Sequence, residues 1–176
     1  ALAALLAQIP YNNAMTVTGT GSEWIGQGPG RDWLLGQGGG TNNILNVSSG
    51  GAMSNVANLI LYSTGSVVNL GDGNSISTVS ANTVGLNTTS ARLNFNSGRL
   101  TARANGAMVS GSGQVQLVGP AYLSTTFAGS TIANVIYGDG SLTNEGTGTL
   151  TLSAANTYTG ATTVNGGTLR IASTGS

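Results

Sequence analysis

Five carboxylates, at Glu23, Asp32, Asp72, Asp139 and Glu145, make up the acidic chemistry of this chain. Glycoside hydrolysis needs two carboxyl groups roughly 5 to 10 Å apart. Asp139 and Glu145, which a turn could bring face to face, are the best-spaced pair. There is no Lys and no His, so the base of a polysaccharide lyase would fall to an Arg, a Tyr or water. Most of the acids lie in Gly-rich corners, where a carboxylate ordinarily serves a solvated turn. The expectation is a chain with no catalytic residue and no enzymatic activity.

Other constellations weaken in the same way. Gly71-Asp72-Gly73 and Gly138-Asp139-Gly140 resemble half of a calcium loop. Calcium takes six to eight oxygens, and calcium solenoids repeat their acid turn after turn. Two isolated copies do not form that array, so no metal site is expected. The string Gly26-Gln-Gly-Pro-Gly30 lacks the helix N-terminus and the Lys of a phosphate cradle, so no nucleotide or other cofactor is expected. The best candidate for a ligand is the pair Trp24 and Trp33, which flank a Gly-rich segment holding Arg31 and Asp32. Two indoles sharing a face would stack on a sugar ring. The competing reading places at least one Trp inside the core or over its end.

The elements that must position these residues are built from an unusual composition. Of 176 residues only 6% are charged, against about 25% in ordinary soluble domains. Five Arg balance five acids to a net charge of zero. That leaves no electrostatic footprint for nucleic acid or an anionic membrane. Cys is absent, which excludes disulfide scaffolds and thiolate metal sites. Twenty-nine Gly with much Ser, Thr and Asn suggest disorder, but a hydrophobic fraction of 39% and a mean hydropathy of +0.14 argue against it.

Apolar residues recur in short alternating runs. Examples are Met15 to Thr18, Trp33 to Leu35, Ile44 to Val47, Leu59 to Tyr62, Val67 to Leu70, Leu93 to Phe95 and Val115 to Val118. Gly or Asn breaks the pattern every 6 to 12 residues, and no 3.6-residue period persists long enough for a helix. This spacing fits a β-sandwich or a β-solenoid. A loosely recurring grammar of strand, Gly corner and strand tilts the reading towards the solenoid. In a solenoid, Asn at equivalent positions can form ladders between turns; Asn46, Asn156 and Asn165 are the candidates. Residues 1 to 9, ALAALLAQI, are too short to span a bilayer as a helix, and no direct membrane insertion is expected of this segment.

The stretch from Leu142 to Ile171 reads LTNEGTGTLTLSAANTYTGATTVNGGTLRI. It carries Gly146, Gly148, Leu150, Leu152, Asn156, Tyr158, Gly160, Val164, Asn165, Gly167 and Leu169 in a pattern that resembles the passenger-associated transport repeat, also called the autotransporter-associated β-strand repeat. Glu145 departs slightly from it, at what reads as an exposed turn. Residues 12 to 54 resemble, more loosely, another repeat of bacterial surface proteins, through Thr16 to Ser22, Trp24 and Asn43 to Gly51. The resemblance implies a right-handed parallel β-helix from a large secreted or cell-surface bacterial protein, in which such repeats are scaffold.

The chain then divides into residues 1–14, a cap or lead-in, and one continuous all-β solenoid over 15–176. The expected role is a stalk, surface layer or adhesin scaffold. Its partners would be neighbouring repeats of the same chain, or a second copy associating end to end or side by side. The alternative is a module binding host or environmental glycans through Trp24 and Trp33, and behind it a polysaccharide-active β-helix enzyme.

Overall fold

A computed structural model describes residues 12–26 and 32–172. Among them every regular element is a strand and every pairing between strands is parallel. The fold is a β-solenoid: the chain winds, and each strand pairs with its counterpart one turn earlier and one turn later.

Strands are numbered along the chain. The first face stacks β1 (Ala14–Thr18), β4 (Ile44–Ser48), β6 (Val67–Leu70), β8 (Arg92–Phe95), β11 (Gln114–Leu117) and β14 (Ile136–Gly138). A second face stacks β2 (Glu23–Ile25), the start of β5 (Ala52–Leu61), the start of β7 (Ser77–Leu86), β9 (Gly98–Ala102), β12 (Ala121–Ser124), β15 (Leu142–Glu145) and β17 (Thr162–Val164). The third stacks β3 (Trp33–Leu35), the ends of β5 and β7, β10 (Gly106–Gly111), β13 (Ser130–Ile132), β16 (Thr149–Leu152) and β18 (Thr168–Ile171). Because β5 and β7 run through the corner, the second and third faces belong to one hydrogen-bonded sheet.

Register makes the core. Met15, Leu45, Val68, Leu93, Val115 and Ile136 are aligned partners on the first face, and Val17, Val47, Leu70, Phe95 and Leu117 form a second file beside them. From Leu45 onward these side chains are at most 2% exposed. Successive strands lie about 4.8 Å apart, so each side chain packs on the ones directly above and below it. The period-2 alternation in the sequence therefore becomes continuous apolar columns, with the polar residues outside.

The turn length is not constant. Partners on the first face are 30 residues apart at Thr16 and Asn46, 23 at Asn46 and Asn69, 25 at Asn69 and Asn94, 21 at Gln116 and Tyr137, and 20 at Ile136 and Asn156. The first-face strands keep their register, so the corners, with register shifts at Met53/Val56 and Ala107/Val109 on the other sheet, absorb the difference.

One sequence expectation needs correction. Glu145 does not sit in an exposed turn: it ends β15, is half-buried, and its carboxylate takes Arg99 Nε at 2.9 Å and a second guanidinium nitrogen at 3.4 Å. Ser77–Leu86, outside the runs given above, is one ten-residue strand. Its inward positions include Ser77 and Ala81, small residues that hide the alternation.

Candidate functional site

The tryptophan pair does come together. Trp24 and Trp33 lie on adjoining faces of the same turn, with ring centroids 4.5 Å apart and an interplanar angle of 82°. This edge-to-face contact belongs to the inside of a corner. Trp24 is in register with buried Met53 and Trp33 with buried Leu59. Trp33 is only 4% exposed, and Trp24 is half-buried against the same core. Trp33 therefore offers almost no surface on which to stack a sugar, while Trp24 keeps part of its ring exposed. Asp32 is a corner cap: its Oδ1 accepts from the backbone N–H of Asn58 at 3.1 Å and from Asn58 Nδ2 at 2.8 Å. Arg31 lies outside the described residues.

Two further acids, Glu145 and Asp72, have structural partners. Glu145 is paired with Arg99, whose guanidinium also lies 5.6 Å from the centre of the Tyr122 ring. Asp72 accepts from Ser49 Oγ at 2.5 Å and from the N–H of Asn74 at 3.0 Å. The Ser49 hydroxyl, and after it the backbone of Asn74, hold its carboxyl below the ordinary 3.8. Among the described residues no three Asp or Glu side chains cluster so as to hold a metal ion.

The residues of the C-terminal pattern are absorbed by stacking. Leu150 and Leu152 are fully buried in the third face. A side chain at Gly146, Gly148, Gly160 or Gly167 would be driven into the backbone of the preceding turn, at Thr125, Phe127, Gly140 and Gly148 respectively. These glycines let successive corners touch. Asn156 Oδ1 accepts from the N–H of Ile136 at 2.9 Å, and Thr157 and Thr159 donate backbone bonds to Ile136 and Gly138. Residues 156–159 thus extend the first face by a further turn. Tyr158 packs on the core and its hydroxyl meets Thr162 Oγ1 at 2.7 Å. The backbone N–H of Asn165 bonds the carbonyl of Asn144. Val164, Leu169 and Ile171 lie on the last described turn; Val164 is 51% and Ile171 62% exposed.

Sequence reasoning passed over Asn144. It lies in the inward file between Leu123 and Val164, fully buried, with Nδ2 donating to the carbonyl of Gly166 at 2.7 Å and Oδ1 without a partner. Nothing in L-T-N-E marks that Asn as an inward one.

The most organised polar surface lies outside the first face. Thr16, Asn46, Asn69 and Asn94 are consecutive outward partners. Asn69 Nδ2 donates to Asn46 Oδ1 at 2.8 Å and Asn94 Nδ2 to Asn69 Oδ1 at 2.9 Å, while Asn46 reaches Thr16 Oγ1 at 3.5 Å. Of the three expected ladder residues, Asn46 is in this ladder; Asn156 and Asn165 make the contacts given above. Beside it runs a groove of about 390 Å³, lined also by Ser48, Gly71, Asp72, Asn96 and Val118.

No curated protein and no solved structure matches the chain. Residues 142–171 match the family model of the passenger-associated-transport-repeat. That span covers β15 to β18, and within it β15 pairs with β17 and β16 with β18. One family unit therefore supplies both a turn and part of the next turn stacked upon it. The C-terminal turns of this solenoid carry a passenger-associated-transport-repeat.

Proposed function

We propose that this chain is a structural, non-enzymatic module of a secreted or cell-surface protein, serving as a stalk, surface layer or adhesin scaffold. One observation carries the reading: the pattern residues of 142–171 are engaged in joining one turn to the next. Leu150 and Leu152 fill the interior, the glycines allow corner contact, and Asn156 ties to the turn before. The family of that repeat fits the same role, since passenger segments are exported.

The edge presented by β17 and β18 suits the next turn of a longer chain or the first turn of a second copy. Both occupants would pair the same backbone groups and cover Val164 and Ile171. The test of location is immunogold labelling of intact and permeabilised source cells with an antibody against this chain. Labelling of intact cells is the expected result; label found only after permeabilisation would overturn the surface assignment.

A further inference from the structure

We propose that the groove above the asparagine ladder binds a neutral glycan. The shape comes from two neighbouring outward files. The ladder is the floor. Beside it run Ser48, the last residue of β4, and Gly71, Asn96 and Val118, each just past the end of its strand. They are aligned by backbone bonds from Gly71 to Val47 (2.7 Å), Asn96 to Leu70 (2.9 Å) and Val118 to Phe95 (2.8 Å). At Gly71 the backbone of Asn96 and Ser97 in the next turn stands where a Cβ would lie, so that file carries no side chain between Ser48 and Asn96. The Gly71 φ of +92° suits the turn into Asp72 as well. The resulting volume, about 390 Å³, lies within the roughly 300–1,000 Å³ of small-molecule sites.

The chemistry selects the ligand class. A primary amide has two N–H donors and two acceptor lone pairs. Each ladder bond uses one donor of one Asn and one lone pair of the next, so Asn46 and Asn69 keep hydrogen-bonding capacity beyond the ladder. The floor thus repeats donor and acceptor at the strand spacing, and Thr16, Ser48 and Asn96 add further polar groups. Vicinal hydroxyls, each both donor and acceptor, complement such a row. Val118, 50% exposed, gives the C–H face of a ring an apolar contact.

Charge excludes the alternatives. No Arg lines the groove, so a phosphate, sulfate or uronate would enter without a counter-charge. Asp72 is the one ionisable group there, and its two oxygens already accept from Ser49 and Asn74. A polypeptide adding as a strand needs a sheet edge, and this is a sheet face. The site lies on a different face from the tryptophan pair and does not depend on the scaffold reading.

The test uses the intact 176-residue chain, isotopically labelled. It is titrated with cellohexaose, laminarihexaose and mannohexaose, with hexagalacturonate as the anionic control. We expect saturable shifts of the Asn46, Asn69, Asn94 and Asn96 side-chain amide signals with at least one neutral hexaose, and none with the uronate. Asn96→Ala, outside the ladder bonds, should weaken that binding about three- to ten-fold, the equivalent of one or two hydrogen bonds. Val118→Ala, at a half-exposed position, is the second variant should Asn96→Ala fail to fold. The proposal is overturned if no neutral hexaose produces saturable shifts, if the uronate binds equally well, or if the folded variants bind like the parent.

Discussion

Asn69→Ala is the sharpest perturbation of the ladder, because Asn69 is its middle member. The substitution removes two side-chain hydrogen bonds, of 2.8 and 2.9 Å, whereas Asn94→Ala removes one of them and Asn46→Ala removes the other together with the long 3.5 Å bond to Thr16. A net contribution of about 0.5–1.5 kcal/mol per bond gives a loss of about 1–3 kcal/mol at Asn69 and about half that at Asn94. For a chain of this size each kcal/mol lowers Tm by about 2–4 °C. Urea unfolding of the three single variants and of the doubles Asn46/Asn69 and Asn46/Asn94 then forms two cycles. The first should show a coupling of about 0.5–1.5 kcal/mol, the strength of the shared bond. Asn46 and Asn94 are two turns apart, roughly 10 Å, and touch only through their shared partner Asn69. The second cycle therefore reads coupling relayed through that amide and should be smaller than the first. If Asn69→Ala costs no more than Asn94→Ala, the amides are solvated independently and the ladder contributes nothing to stability.

Phe95→Ala empties the largest fully buried position and should cost about 3–5 kcal/mol, read from the same urea midpoints. Gly148→Val places a branched side chain against the Phe127 carbonyl; reduced protection of the β16 and β18 amides in hydrogen exchange, with the β4 and β6 amides unchanged, is the expected pattern. Arg99→Ala breaks a pair whose side chains are 34% and 24% exposed, so the loss should stay within about 1 kcal/mol and shrink with added salt. The folded pKa of Asp72 lies below 3.8. Its carboxylate therefore contributes stability that is complete above that value and is lost as pH falls through the lowered one. The stability difference between the parent and Asp72→Asn should be constant from pH 7 to about 5 and fall away below 3.8; a difference unchanged down to pH 2 would contradict the Ser49 contact.

The solenoid class was legible because inward Val, Leu and Ile alternate with polar residues in Ile44–Ser48, Val67–Leu70 and Thr149–Leu152. The count and phase of the turns were not. Partners fall from 30 residues apart to 20 along the first face, so self-comparison at any fixed period finds little. The specific family pattern emerges where the turns have settled near 20, in residues 142–171. The tryptophans illustrate a different limit. Their spacing correctly marked them as neighbours across a loop, but which side of the corner they occupy depends on partners at Met53 and Leu59, far along the chain. The ladder was half legible: Asn46 stood out, whereas Asn69 and Asn94 needed the register to align them.

The drift in turn length has a consequence for how such a chain can change. Additional residues enter at corners while the interior columns keep the same partners and the same 4.8 Å step. A corner insertion therefore leaves the columns in register, and at corners not held by close glycine contacts such as Gly148 on Phe127 its loop-closure cost grows only logarithmically with length. Substitutions in the columns are felt by two neighbouring turns at once. Diversification and grafting of new surface loops are thus open at the corners free of such contacts and closed along the files, which makes this architecture a display frame with an invariant core and an editable perimeter.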